Sequence, residues 1–159
     1  MLKFVEVAEV MAEIPDEITL ALNISNCPHR CKNCSEPWLR EDIGTELSKN
    51  TIVELMTLHD GVSCICFMGG DGQHENVVES AKMIHVLYPD VKIAMYSGDD
   101  IMDEILKPVL DYYKIGHWDE NLGPLDYETT NQKLFAKDFD GTWNDITYRF
   151  HKTNKKKKL

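Results

Sequence analysis

The sequence has no apolar run near the roughly 18 residues that a membrane-spanning helix needs. Its first nine residues carry acidic side chains every few positions and lack the apolar core of a secretory signal. It contains no internal repeat, and no low-complexity stretch apart from a lysine run at its end. These absences argue against membrane, secreted and repeat proteins, so we expect a cytoplasmic protein.

The chain is also too short for a complete eight-fold β/α barrel, which needs roughly 250 residues, because it has 159. No linker divides it. Its 43% hydrophobic and 28% charged residues are typical of a soluble globular protein. We expect a single domain over residues 1–151 and a basic, disordered tail over residues 152–159.

Basic charge is scarce outside that tail. Five of the 17 basic residues lie in the last eight positions, so residues 1–151 carry 12 bases against 27 acids, a net charge of −15. An acidic surface repels nucleic-acid phosphates, so nucleic-acid binding is not expected of the domain. The run Lys155–Lys158 is interpreted as a solvated chain end, with contact to a nucleic acid or an acidic partner as the alternative.

The five cysteines do not make an even set, and no signal peptide accompanies them. A disulfide framework is therefore not expected, and the thiols are assigned to a reducing compartment. Three of them fall within eight positions, which is more typical of metal binding. The other two, Cys64 and Cys66, alternate along an apolar run and are interpreted as small buried hydrophobes.

Four segments rich in apolar and β-branched residues are predicted to be strands: residues 17–25, 62–68, 91–96 and 111–115. Later strands are predicted at residues 134–136 and 146–150. Helical spacing between the first four predicts crossover helices.

The first predicted helix is capped by Ser48 and ended by Gly61, and the second ends before Pro89. A third, containing Ile101 and Ile105, is limited by Pro108. Strands alternating with helices imply parallel pairing, so we expect an α/β fold built as a partial, open β/α barrel of parallel strands with outer helices. Chemistry is expected at the carboxyl ends of the strands.

The central motif is Cys27, Cys31 and Cys34, spaced C-x3-C-x2-C on the long loop after the first strand. Thiolates favour zinc, copper(I) or iron–sulfur clusters. A [4Fe–4S] cluster usually takes four thiolates, so three would leave one iron open. Zinc is the alternative if a fourth ligand is supplied by one of four residues: His29, His74, Cys64 or Cys66.

Two further segments follow later strands. Gly69, Gly70 and Asp71 either form a tight turn or let a ligand approach the backbone. Ser97 and Gly98 either bind a polar group or cap the following helix. Trp38, just after the cysteines, is predicted to cover the cluster, with a partner surface or core packing as alternatives.

These segments resemble, in order, the anaerobic ribonucleoside-triphosphate reductase activating proteins, which are small radical S-adenosylmethionine (SAM) enzymes. The likeness covers roughly residues 17–135 and includes Thr130–Gln132. It implies a radical SAM fold and a [4Fe–4S] cluster on the three clustered cysteines. It also implies that SAM is contacted by Asn33, Ser35, Gly69, Gly70, Asp71, Ser97 and Gly98.

The implied activity is reductive cleavage of SAM to a 5′-deoxyadenosyl radical, which takes a hydrogen from a glycine of the large reductase subunit. A flavodoxin-type protein is the implied electron donor. Alternatives are a radical SAM enzyme with another glycyl-radical partner or a small-molecule substrate, and a non-catalytic zinc module. The sequence departs from the family in Gly72, where relatives often have proline, and in Ile115–Trp118, where they often have Asp-Gly and an aromatic.

Overall fold

The computed structural model describes residues 1–151, and the tail predicted over residues 152–159 lies outside this part. Eight strands form one sheet: β1 (Lys3–Val10), β2 (Thr19–Ile24), β3 (Thr45–Glu46), β4 (Cys64–Met68), β5 (Lys92–Tyr96), β6 (Tyr112–Ile115), β7 (Lys133–Lys137) and β8 (Trp143–Asp145). Two α-helices, α1 (Lys49–Leu58) and α2 (His74–Leu87), and two short 3-10 helices, Pro37–Arg40 and Thr147–Phe150, complete the described elements.

The centre of the sheet is parallel, as predicted. The strand order is β3-β1-β2-β4-β5-β6-β7-β8, and β2, β4, β5 and β6 run in the same direction. Asn23, Met68, Tyr96 and Lys114 lie side by side near the ends of these four strands. The loops that follow the four strands therefore start from a common edge, which places the sequence motifs together.

The margins of the sheet are antiparallel, and the sheet is open. On one side β1 pairs with β2 and β3, and on the other β7 pairs with β6 and β8. The expectation of a barrel of parallel strands is thus met only in its four central strands, and the architecture is a mixed α/β sheet with few helices. Strand β1 had no counterpart among the predicted elements, although apolar residues alternate with Glu6 and Glu9 in it.

Helix α1 confirms the predicted cap. Its Ser48 hydroxyl oxygen accepts a hydrogen bond from the backbone N–H of Thr51 at 3.2 Å, which satisfies one of the free donors at the helix start. Helix α2 ends at Leu87, before Pro89, also as predicted.

The helix predicted around Ile101 and Ile105 is wrong. Residues 99–110 form successive turns, with both isoleucines exposed. The carboxylate of Asp103 accepts the backbone N–H of Ile105 at 3.0 Å, and Tyr113 accepts the N–H of Asp103 at 3.2 Å. The segment is held by short turns such as the bond from the Leu106 N–H to the Asp103 carbonyl at 3.2 Å, and Pro108 has no N–H to continue a helix.

The strand predicted at residues 146–150 is wrong as well. Residues Thr147–Phe150 form a 3-10 helix, and the strand of this region is β8, which precedes it. The Thr147 hydroxyl and N–H both bond the Asp145 carboxylate, at 2.5 and 2.9 Å, and this local turn ends the strand.

Two apolar layers cover the two faces of the sheet, because alternate side chains of a strand point to opposite faces. The larger layer joins α1 and α2 to alternate residues of the central strands, including Leu22, Phe67 and Met95. The smaller one joins Cys64, Cys66 and Ala94 to Ile14, Leu125 and Leu134. No helix within residues 1–151 is long and apolar enough to cross a membrane.

Candidate metal centre

The loop that carries the cysteine motif leaves β2 at the functional edge of the sheet. Asn26 and Asn33 adopt left-handed backbone conformations, with φ of +63° and +54°, which turn the chain sharply. The N–H of Cys27 donates to the carbonyl of Leu39 at 2.8 Å, and the Arg40 guanidinium donates to the carbonyl of Cys31 at 3.2 Å. The short 3-10 helix thus anchors the backbone of the loop.

Cys27, Cys31 and Cys34 are all reduced and partly exposed on this loop. Burial raises the pKa of Cys27, and the charges of Asp71, Cys34 and Cys31 raise it further, while the backbone N–H of His29 lowers it. A positively charged metal group beside Cys27 would oppose this rise and favour its thiolate.

The three thiols are not gathered as closely as ligands of a single zinc ion. Thiolates bound to a tetrahedral zinc at about 2.3 Å lie roughly 3.8 Å apart. Within residues 1–151, the single trio of potential ligand atoms that all lie within 4.8 Å of one another is His29, Asp71 and Asp99, not the three sulfurs.

The four residues considered as a fourth zinc ligand have other surroundings. Cys64 and Cys66 are fully buried in β4, as predicted for small hydrophobes, and burial raises the pKa of both thiols. His29 Nε2 lies 2.9 Å from Asp71, and His74 Nδ1 lies 2.7 Å from Asp103.

The turn after β4 explains the pair of glycines. Gly69 and Gly70 have φ of +109° and +107°, which L-residues with side chains rarely adopt. A Cβ on Gly70 would lie 2.8 Å from Val77 of α2. The prediction that these glycines form a tight turn is therefore confirmed. The absence of a Cβ at both positions also leaves their backbone open to close approach by another group.

Asp71 links three of the loops at this edge. Its side chain is only 2% exposed, and its Oδ2 accepts the N–H of Gly98 at 2.8 Å and lies 2.9 Å from His29 Nε2. A Cβ on Gly98 would lie 2.7 Å from the His29 ring, so the close approach of these two loops requires glycine there. Asp71, which the resemblance implies as a SAM contact, is thus already bonded to the protein.

Ser97 and Asn33 contact the protein in ways that the sequence did not predict. Ser97 is buried, and its hydroxyl oxygen accepts the N–H of Asp99 at 2.9 Å, in a turn rather than at a helix start. Asn33 is exposed and donates to the Glu120 carboxylate, which also pairs with Lys32 at 3.0 Å. Ser35 is exposed on the same loop.

The loop after β6 closes over the cysteine loop from the other side. A cleft of about 410 Å³ separates them, lined among others by Arg30, Cys31, His117 and Trp118. The amide of Asn131 donates to the carbonyl of His117 at 3.0 Å, so the segment Thr130–Gln132 supports this loop. Trp38, expected to cover the cluster, keeps 44% of its surface exposed.

Lys114 is a site residue that the sequence analysis missed. It is 7% exposed at the end of β6 and donates to the carbonyls of Ser97 at 3.0 Å and Gly116 at 2.6 Å. Burial lowers its pKa to about 8, against the opposing effect of negative charge at Asp71 and Cys31. The available signal was a lysine at the carboxyl end of a short strand that is otherwise apolar and aromatic.

Comparison with known proteins gives one match. The sequence model described as a 4Fe-4S single cluster domain matches residues 18–119, which include the first parallel strand, the three clustered cysteines and the edge built from the next three strands. No curated protein and no solved structure matches the chain. The match supports iron–sulfur binding, and because it spans more than half of the 159 residues, the chain belongs to the 4Fe-4S single cluster domain family.

Proposed function

We propose that this protein is a radical SAM enzyme whose [4Fe–4S] cluster is held by Cys27, Cys31 and Cys34. The observation that carries the proposal is the number of available thiols. The family binds a single [4Fe–4S] cluster, and the other two cysteines of the sequence are fully buried in β4. Three thiolates on the loop leave one iron without a protein thiolate.

That open iron would, with the cluster bound and reduced, chelate SAM and supply its reductive cleavage to methionine and a 5′-deoxyadenosyl radical. The chain's own contribution is to bind, orient and shield. The Gly69 N–H and the Gly70 carbonyl already bond Tyr96 and Gln73, so the Gly69 carbonyl and the Gly70 N–H are the backbone groups of this turn proposed to face SAM. Asn33 and Ser35 flank the third cysteine of the loop. Lys114 places a cationic side chain under the site, where it offsets the negative charge of thiolates and carboxylates.

Shielding from water is supported by the second loop of the site. The ion pair of Lys32 with Glu120 and the bond from Asn33 to the same carboxylate join the cysteine loop to the segment after β6. Exclusion of water from the cleft between them would protect a reactive radical from side reactions.

The proposed partner is the large subunit of an anaerobic ribonucleoside-triphosphate reductase, on which the enzyme would generate a glycyl radical. A flavodoxin-type protein is the proposed electron donor. Both follow from the resemblance in the motifs at residues 26–34, 67–71, 96–98 and 130–132. A different glycyl-radical partner or a small-molecule substrate is the alternative within the same chemistry.

Anaerobic reconstitution with iron and sulfide tests the cluster. The wild-type protein should become brown, bind about four iron atoms per chain and cleave SAM when reduced. Cys31→Ala should lose the cleavage, whereas Cys66→Ala, a matched change at a buried cysteine, should retain it. A colourless protein with one tightly bound zinc would contradict the proposal.

Electron paramagnetic resonance (EPR) tests the partner. Incubation of the reduced protein with SAM and the purified large reductase subunit should produce a glycine-centred doublet on that subunit. If SAM is cleaved but no doublet appears, the radical chemistry stands and the reductase is the wrong partner.

A further inference from the structure

A second group of metal-binding side chains lies beside the cysteine loop and contains no sulfur. His29, Asp71 and Asp99 each place one potential ligand atom within 4.8 Å of the other two. His29 Nε2 lies 2.9 Å from Asp71 Oδ2 and 3.4 Å from Asp99 Oδ1. The three residues come from the loops after β2, β4 and β5, so the topology of the sheet brings them together.

His74, the first residue of α2, lies beside this trio, although its ring nitrogens are not among the atoms that all lie within 4.8 Å of one another. Its Nε2 lies 3.5 Å from Asp99 Oδ2 and 3.8 Å from Asp71 Oδ1. Its other ring nitrogen lies 2.7 Å from Asp103 Oδ2. The Asp103 carboxylate thus holds the His74 ring from the far side, as carboxylates do behind metal-bound histidines.

Two atoms of the group are buried with nothing to bond. Asp71 Oδ1 and His74 Nε2 have no hydrogen-bond partner within residues 1–151. The Asp71 side chain is only 2% exposed, so this carboxylate oxygen is withdrawn from water as well. Leaving a buried carboxylate oxygen unpaired is costly, which points to a cation that the protein alone does not provide.

The one buried lysine nearby does not fill that role. The ammonium of Lys114 donates to the carbonyls of Ser97 and Gly116, and no hydrogen bond or ion pair joins it to Asp71 or Asp99 among the described contacts.

We propose that His29, Asp71 and Asp99, with His74 beside them, bind one divalent first-row metal ion, separate from the iron–sulfur cluster. An imidazole nitrogen among carboxylates suits such ions better than it suits calcium or magnesium, which prefer oxygen ligands alone. The ion gives the buried Asp71 Oδ1 and His74 Nε2 a partner. It ties the cysteine loop, through His29, to the turns after β4 and β5 and to the start of α2.

Cobalt(II) is the probe that separates this site from the thiols. Thiolate–cobalt bonds give intense near-ultraviolet charge-transfer absorption, whereas nitrogen and oxygen ligands give only weak visible bands. The variant Cys27→Ser/Cys31→Ser/Cys34→Ser should bind about one Co²⁺ and show weak visible bands without that charge-transfer absorption. The cluster-free wild-type protein, which keeps its thiols, should show the same weak bands together with thiolate–cobalt absorption. Because the triple variant cannot hold the cluster, this result is independent of the proposed radical chemistry.

Single substitutions identify the ligands. Asp99→Asn and His29→Gln should each weaken Co²⁺ binding at least about ten-fold, while Glu104→Gln, an exposed carboxylate on the same turn, should leave it unchanged. Circular dichroism checks that each variant is folded, and Asp99, which is 37% exposed, is the change expected to disturb folding least. Absence of saturable binding in the triple variant, or unchanged affinity in both Asp99→Asn and His29→Gln, would overturn the proposal.

Discussion

Lys114 has the most unusual environment of the residues at the functional edge. Its aliphatic stem is buried and its ammonium bonds two backbone carbonyls, so the charge is retained at a cost in solvation. Burial lowers its pKa to about 8 from the ordinary 10.5. The pKa of Lys114 is therefore sensitive to the charges beneath the cysteine loop.

Lys114→Met should change how stability depends on pH in the cluster-free protein. Between pH 8 and 10.5 the unfolded chain keeps the lysine proton that the folded chain has lost, so this group adds stability as pH rises through that window. The wild-type free energy of unfolding should therefore gain up to about 3 kcal/mol relative to the variant over that range. Urea unfolding at pH 7.5 and 10.5 measures it.

The opposite sign of that trend would contradict the burial argument. If the wild type instead lost stability relative to Lys114→Met between pH 8 and 10.5, the lysine would have a raised pKa and a tight anionic partner. A parallel comparison of wild type with Lys82→Met, a change at an exposed lysine of α2, provides the control.

Single residues also show what the sequence could and could not predict of the site. The thiols were predictable because their spacing within one loop is local. The contacts of His29 with Asp71 and Asp99 were not, since 42 and 70 positions separate these residues and only the parallel pairing of the strands joins them. Nothing local to His29 distinguished it from a solvent-facing loop histidine.

At the level of elements, helix α1 depends on its cap. Ser48→Ala removes the acceptor for the Thr51 N–H and should lower the free energy of unfolding by about 1 kcal/mol. Thr57→Ala, which removes an exposed hydroxyl that bonds back to the Val53 carbonyl on the same helix, should cost less. Denaturant unfolding of both variants distinguishes them, and equal losses would argue against the cap.

The amino-terminal end of the sheet is held by a carboxylate opposite the functional edge. The buried Glu17, just before β2, accepts hydrogen bonds from Lys92 of β5 at 2.7 Å, from Ser63 at 2.6 Å and from Tyr112 of β6 at 2.9 Å. Burial raises the pKa of Glu17, but these three donors outweigh burial and hold the pKa below its ordinary 4.5. The network thus joins the starts of the four parallel strands β2, β4, β5 and β6.

Glu17→Gln should weaken that connection in a pH-dependent way. Because the folded-state pKa is lowered, the stabilisation is complete above about pH 4.5 and is lost as pH falls through the folded-state value. We expect the variant to be less stable than the wild type by about 1–3 kcal/mol at pH 7. Thermal unfolding at pH 7 and pH 3.5 measures the difference, which should shrink at the lower pH; a gap that widened there would contradict the assignment.

The elements that were predicted correctly have strong local signals. Strands β4 and β5 are continuous apolar runs covered on both faces, and α1 and α2 have clear ends at Ser48 and Pro89. The failed helix rested on only two apolar residues four positions apart, and turns made by Asp103 replaced it. Such turns are hard to predict from the sequence, because one of the hydrogen bonds that hold them is accepted by Tyr113, which lies on another element.

At the scale of the whole molecule, the two ends of the sheet have different tasks. The buried Glu17 network stabilises one end, while the other collects three thiols, a buried lysine and a histidine–carboxylate group. This division keeps the chemistry on loops that the rigid parallel strands position.

In the proposed enzyme, three thiolates leave one iron of the cluster open to SAM. The direct measurement is the EPR spectrum of the reduced, reconstituted protein before and after SAM is added. Ligation of SAM at an open iron should change the cluster signal, and Cys34→Ala should lack that signal. An unchanged spectrum from a fully loaded cluster would show that the fourth iron is already occupied, and it would contradict the account.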